Sequence, residues 1–238
     1  MRQVEIEDIE LFPILIQRIS NFLTPEQCKD ICDYFKVHRK GFHDISLLTD
    51  GVSTWEFDSE SHKEITKNIP SCDTFTNDMV NVIMEYASML GVKMYCTQDI
   101  VTSWVSIQNV GSVHKRHKHT GSQIAGVIYL NVDERSNHIT FYNPNEFPSF
   151  APLSILNKYN LEKQTFKPEL GTLYLFPAWL GHGSDDMINH TPEERESVNN
   201  YSNSSFNLNG DLYYAHKEGR SIDPQYHHEI KHLDSALG

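Results

Sequence analysis

Cysteine is sparse in this 238-residue chain, and the four present, Cys28, Cys32, Cys72 and Cys96, form no CxxC pair. That spacing excludes a dense disulfide framework and suits a reducing, intracellular setting. Long apolar runs are missing too. No stretch approaches the length needed to span a bilayer, and the opening residues MRQVEIEDIE carry acid where a signal peptide carries base followed by an apolar run. A soluble, cytoplasmic protein with no membrane partner is expected. Positive charge is also scarce: 20 Lys and Arg stand against 32 Asp and Glu, a formal net charge of −12. A general grip on phosphate backbones needs clustered cations, so a nucleic-acid partner is not expected. The local exception is Lys115-Arg116-Lys118, which could meet an anionic substrate. Internal repeats and low-complexity tracts are absent, which excludes a solenoid.

What remains is enough for one large folded unit, with 39% hydrophobic residues. We expect a single domain: helical and mixed support over 1–92, a β-rich core over 93–210 and a tail over 211–238. Thr24-Pro25-Glu26-Gln27 combines an N-cap, a proline at the first helical position and a capping-box glutamine, predicting a helix over 25–37. Cys28 and Cys32 fall one turn apart on it beside Ile31 and Phe35, and read as small groups on a buried face. A second helix is predicted over 74–90 from Phe75, Met79, Val82, Ile83, Tyr86 and Leu90 at helical spacing, with Gly91 as the stop. A strand is predicted over 10–19, with Pro13 at its irregular entry, and a short one at Trp55-Glu56-Phe57. From residue 92 the pattern changes to short strands between turns: 94–97, 102–109, 117–119, 124–131, 138–142, 172–176 and 202–208. Residues 147–166 read as a long irregular loop, either a wall over the mouth of the β-core or a packed insertion. Two helices ahead of a β-rich remainder predict helices buttressing one face of a sheet.

The chemistry concentrates in residues 114–130, HKRHKHTGSQIAGVIYL, where three histidines within six positions lead into an apolar strand. Residues two apart on a strand share a face, so His117 and His119 can meet one metal while Lys118 points away. His114 is an odd number of positions from both and fits that face less well. Imidazole suits iron, zinc, copper and nickel, so the ligand type alone does not name the ion. A third ligand must come from elsewhere. His182 is the best candidate, delivered by a short turn after the buried run Leu173-Tyr174-Leu175-Phe176-Pro177. His138 and His190 compete for the role. Beyond it stand Arg195 and Ser197, and an arginine fork matches a carboxylate bidentately. Trp104 and Trp179 are candidates either for a pocket wall or for packing at the barrel edge.

These pieces in this order resemble the Fe(II)/2-oxoglutarate-dependent dioxygenases, and most of all the 2-oxoglutarate–iron oxygenases of bacteria and phages near the prolyl hydroxylases. The resemblance is carried by Trp104 to Gln108, Gly111, His114-Lys-Arg-His117-Lys-His119, Gly126 to Leu130, Gly171 to His182, Arg195 and Ser205-Phe206-Asn207. It implies a mainly β fold, a double-stranded β-helix (a jelly roll, cupin-like) with N-terminal helices packed on one sheet. It implies Fe(II) held by His117, His119 and His182, with no catalytic side chain beyond those ligands. It further implies 2-oxoglutarate chelated to the iron and gripped at its distal carboxylate by Arg195 and Ser197, with Tyr129 and Gln108 bonding it from the strands. The implied reaction consumes O2, decarboxylates 2-oxoglutarate to succinate and CO2, and hydroxylates a peptide side chain or small molecule.

Two departures stand out. The family's usual carboxylate ligand is replaced by His119, leaving three neutral protein ligands, with Asp185 or Asp186 as possible suppliers of a carboxylate. The family's Arg-x-Ser-x-Ser-Phe-Asn run is also split. Counting back from Ser205 puts Tyr201 in the arginine's place, whereas counting forward from His182 favours Arg195, which alone pairs bidentately with a carboxylate. Two other classes therefore stay open. One is a three-histidine metalloenzyme without 2-oxoglutarate, either a cupin-like dioxygenase or a zinc enzyme. The other is a non-catalytic β-sandwich binding or assembly module.

Overall fold

Thr24 caps helix α1, Pro25–Val37, in extended conformation: its Oγ1 accepts from Gln27 N (3.2 Å) while Gln27 Oε1 accepts from Thr24 N (3.0 Å). This reciprocal pair satisfies two otherwise orphaned donors of the first turn. The Gln27 amide also donates to Ser71 O (2.7 Å), anchoring the helix start to the Pro70–Cys72 turn. Thr24→Ala is expected to cost about 1 kcal/mol, read as a lower urea midpoint at unchanged slope; an unchanged midpoint would show that the cap is dispensable. Helix α2 spans Ser61–Asn68 and helix α3 spans Phe75–Met89.

The computed structural model of the protein describes residues 13–38, 41–45, 48–55, 59–91, 99–119, 122–133, 136–145, 157–158, 160–184 and 203–211. A six-stranded sheet contains β1 (Gln17–Ile19), β2 (Leu48–Ser53), β3 (Asp99–His114), β4 (Ile124–Asn131), β7 (Leu173–Pro177) and β9 (Asn203–Asp211), in the order β1-β7-β4-β9-β3-β2. A smaller sheet has the order β6-β5-β8, from Lys163–Phe166, Ile139–Tyr142 and His182–Gly183. The pairings within both are antiparallel, giving a mainly β double-stranded β-helix.

The run in β4 is continuously apolar because the strand is covered on both sides. Ile124, Ile128 and Leu130 join Leu173 and Leu175 of β7 against Ile31 and Phe35 of α1 and Met79, Ile83 and Tyr86 of α3. The alternate residues Ala125, Val127 and Tyr129 join Tyr174, Phe176, Ile139 and Phe141 between the sheets. The expected buttressing of one sheet by the helices is therefore present, and the period-two alternation divides one core from the other. No helix among the described residues is long and apolar enough to cross a membrane.

Several elements depart from expectation. Residues 117–119 are not a strand: His117 forms a single antiparallel bridge with His182, beside β8. Of the stretch 10–19, Gln17–Ile19 pairs, with β7. Trp55 lies beyond β2, which occupies Leu48–Ser53 instead. The end of the predicted loop 147–166 is strand β6, which pairs with β5 across Thr140 and Thr165. Its Lys163 and Gln164 are exposed, so this edge strand carries none of the apolar alternation that would announce it. The predicted strand 94–97 lies outside the described residues, as do residues 56–57.

Candidate metal centre

Strand β3 delivers His114 at its end, and the chain then runs back along β8. Ser184 N donates to His114 O (2.7 Å), and His114 N donates to Ser184 Oγ (2.9 Å). Next, His117 N donates to His182 O (2.9 Å) and His182 N to His117 O (3.0 Å), while His119 N donates to Ala178 O (3.0 Å). Five backbone-anchored bonds thus zip the His-x-His segment to the turn that carries His182. The approach is close enough to need glycine: a Cβ on Gly183 would lie 2.8 Å from His114 O and 3.0 Å from Arg116 N.

This zipper brings together the three predicted ligands. One ring nitrogen from each of His117, His119 and His182 lies within 4.8 Å of the others, an arrangement that could hold a metal ion. The ring tautomers suit that use. His117 Nδ1 lies 2.8 Å from Lys115 O, and His182 Nδ1 lies 2.9 Å from Leu180 O. A carbonyl only accepts, so each Nδ1 carries the proton and each Nε2 keeps its lone pair. His182 Nε2 faces His119 Nε2 at 3.2 Å. A cation between these nitrogens would let both serve as electron-pair donors. The carbonyls behind the rings also play the orienting part that metal-bound imidazoles need.

The electrostatics agree. Burial, seconded by the charge of His117, pushes the His119 imidazole down to about 3. Burial and then His117 and His119 hold His182 well below the usual histidine range. Both rings are therefore neutral near pH 7, the form that binds metal. His182 is 7% exposed, and the rings of Phe176 (4.6 Å between centroids) and Phe141 (6.4 Å) flank it. Trp104 is buried with its ring 5.7 Å from that of His119, so it packs against the site, whereas Trp179 is 51% exposed.

A cavity opens beside the histidines, lined in part by Gln108, Tyr129, Asn137, His138 and Ser184. Gln108 and Tyr129, singled out in the sequence as cosubstrate residues, therefore do lie together next to His119 and His182. Burial raises the Tyr129 phenol above its ordinary range, with Tyr174 a lesser cause, so it stays a neutral O–H donor. His138 lines the cavity but is not part of the three-nitrogen cluster. Arg195, Ser197, Tyr201, Asp185, Asp186 and His190 lie outside the described residues. Of the basic run, Arg116 places its guanidinium 4.3 Å over the Tyr142 ring.

His114, expected from its spacing to sit off the ligand face, supports the site from behind. Its ring stacks on that of His117 (4.6 Å, 16° between planes) and lines the cavity. His114 is not part of the three-nitrogen cluster, in keeping with its odd spacing from His117 and His119. Asn137 and Ser184 were missed altogether, since nothing local marks a lone asparagine or serine in a turn.

Residues 102–200 match the family model described as "Putative 2OG-Fe(II) oxygenase". Among solved structures, the fold is similar to a Pseudomonas putida prolyl-4-hydroxylase at 11% identity, TM-score 0.52, covering 82% of this chain and 90% of that one. It is similar to HygX from Streptomyces hygroscopicus, solved with nickel and 2-oxoglutarate, at 8% identity, TM-score 0.50, covering 84% of each chain. It also resembles the non-heme alpha-ketoglutarate-dependent epimerase SnoN from nogalamycin biosynthesis, at 10% identity, TM-score 0.52, covering 83% of this chain and 79% of that one. No curated protein matches the sequence.

Proposed function

We propose that this chain, a member of the 2OG-Fe(II) oxygenase superfamily through residues 102–200 and so an oxidoreductase served by Fe(II) and 2-oxoglutarate, hydroxylates a peptide side chain or a small molecule. The observation that carries the reading is the cluster of three ring nitrogens within 4.8 Å at the head of a cavity that Gln108 and Tyr129 line. When bound, Fe(II) and 2-oxoglutarate supply the oxidation: one oxygen atom of O2 enters succinate as CO2 is lost, and the other enters the product.

The chain's own residues then have distinct tasks. His117, His119 and His182 hold the metal, the first and last through Nε2. Because these ligands are neutral, they would leave the charge of a bound Fe(II) to be met by an anionic cosubstrate. Tyr129 and Gln108 donate to 2-oxoglutarate from β4 and β3, and Arg195 with Ser197 receives its distal carboxylate. Trp104, Phe141 and Phe176 keep bulk water off the imidazoles, which strengthens each polar contact inside. We place the enzyme in the cytoplasm, a setting that suits the reduced thiols of buried Cys28 and Cys72.

The all-histidine ligand set also favours a second reading, a three-histidine metalloenzyme that does not use 2-oxoglutarate. One experiment separates the two. Anaerobic addition of Fe(II) and then 2-oxoglutarate is expected to produce the weak visible charge-transfer band of a chelated keto acid. Tight zinc binding with no such band would instead select the second reading.

A further inference from the structure

Asn137 is 3% exposed and sits in the turn that leads into β5. Its side-chain nitrogen donates to Gln108 Oε1 (3.2 Å) and to the Ser112 carbonyl (2.8 Å), and lies 3.4 Å from Ser184 Oγ. An amide nitrogen has two hydrogens, and here three acceptors converge on it, so the nitrogen end of Asn137 is fixed by its surroundings. The consequence falls on Gln108. A carboxamide can offer a ligand either a carbonyl oxygen or an N–H pair, and the two ends have opposite polarity. With Oε1 committed to Asn137, the donor end of Gln108 is the one that faces away from Asn137.

We propose that Asn137 is a positioning residue for 2-oxoglutarate: by holding Gln108 Oε1 it turns the Gln108 amide nitrogen toward the anionic cosubstrate. Removing Asn137 removes the donor that holds Gln108 Oε1, so the carbonyl dipole of Gln108 can be set against a carboxylate. The same side chain reaches Ser184, which follows the His182–Gly183 strand and bonds both backbone groups of His114. Asn137 therefore ties the cosubstrate side of the cavity to the strand that carries a metal-side histidine. This inference rests on reading the cavity as the 2-oxoglutarate site.

The test is a double-mutant cycle on the full chain loaded with Mn(II), reading calorimetric affinity for N-oxalylglycine, the unreactive mimic of 2-oxoglutarate. Gln108→Ala and Asn137→Ala are each expected to weaken binding about tenfold, the scale of a hydrogen bond to a charged group. The double variant should fall no more than about twofold below Gln108→Ala alone, because Asn137 acts through Gln108. Losses that multiply would overturn the proposal, as would wild-type affinity in Asn137→Ala; a residue needed merely for stability would not produce the missing second loss. Should Asn137→Ala fail to fold, Asn137→Leu keeps the shape and removes the donor without adding charge. It should weaken the mimic at least tenfold in the wild-type background and no more than twofold beside Gln108→Ala; any other pattern rejects the proposal. Failure of the underlying reading looks different: wild-type protein that binds Mn(II) but not the mimic, with no change on altering Gln108.

Discussion

His182→Ala leaves a folded protein whose affinity for Co(II) or Ni(II) is at least 100-fold weaker than that of the wild type. The size follows from what is removed. Loss of a partner that only orients a ligand typically costs 10–100-fold in metal affinity, and His182 supplies a ligand atom within the three-nitrogen cluster. The remaining pair, His117 and His119, could not close the site, because the described part of the cluster contains no carboxylate to substitute. The fold should survive for a separate reason. The bridge between residues 117 and 182 is made by backbone atoms in both directions, so truncating the imidazole leaves the zipper intact. What it opens is a gap beside Phe176 and Phe141, which lowers stability without preventing folding. Metal titration calorimetry together with far-ultraviolet circular dichroism reads both halves. A folded variant within tenfold of the wild-type affinity would mean that another group completes the site, with His114, Asp185 and Asp186 the first to examine.

The signals that mark the histidine site in the sequence are local. His117-Lys118-His119 is visible because an extended chain puts alternate residues on one side, and both rings do join the same three-nitrogen cluster although His117 makes only one sheet bridge. Strand β4 is legible because both its faces are dry, and α1 because Thr24 and Gln27 cap it within four residues. Illegible features share the opposite character. Helix α2 has Glu60 at its N-cap without a side-chain cap bond, β2 contains Asp50 and Gly51, and β6 shows solvent half of its residues; each is fixed by its neighbours and not by its own pattern. The Asn137 network is the extreme case. Its bonds join residues 29, 25 and 47 positions apart, and no window of sequence contains both ends. The metal-binding chemistry of an imidazole pair could thus be read ahead of the structure, whereas the polar network beside it could not.

Gly171→Ala should be the most destabilising single-methyl change in the described fold, costing about 3–5 kcal/mol. Two penalties act at once. Gly171 has φ +69°, where an L-residue is strained by about 1–3 kcal/mol. A Cβ there would also fall 2.1 Å from Leu23 O, well inside contact distance, and that oxygen belongs to backbone that cannot swing aside as a side-chain tip would. The crowding is a consequence of function in the fold: Leu23 N donates to Gly171 O (3.1 Å) and Gly171 N donates to Tyr129 O (2.8 Å), so one residue joins the approach to α1 with the strand that carries a cavity-lining tyrosine. Pushing Leu23 away would break the first bond and loosen the second, leaving buried backbone groups without partners. Gly91 supplies the control, since its φ is +71° but nothing lies within 4 Å of where its Cβ would be. Gly91→Ala should therefore lose only the strain term, about 1 kcal/mol at the exposed end of a helix. Urea unfolding of the two variants side by side separates conformational strain from steric exclusion. Equal losses would mean that the Leu23 segment gives way easily, and that the chain reaches β7 through a looser junction than the hydrogen bonds of Gly171 indicate.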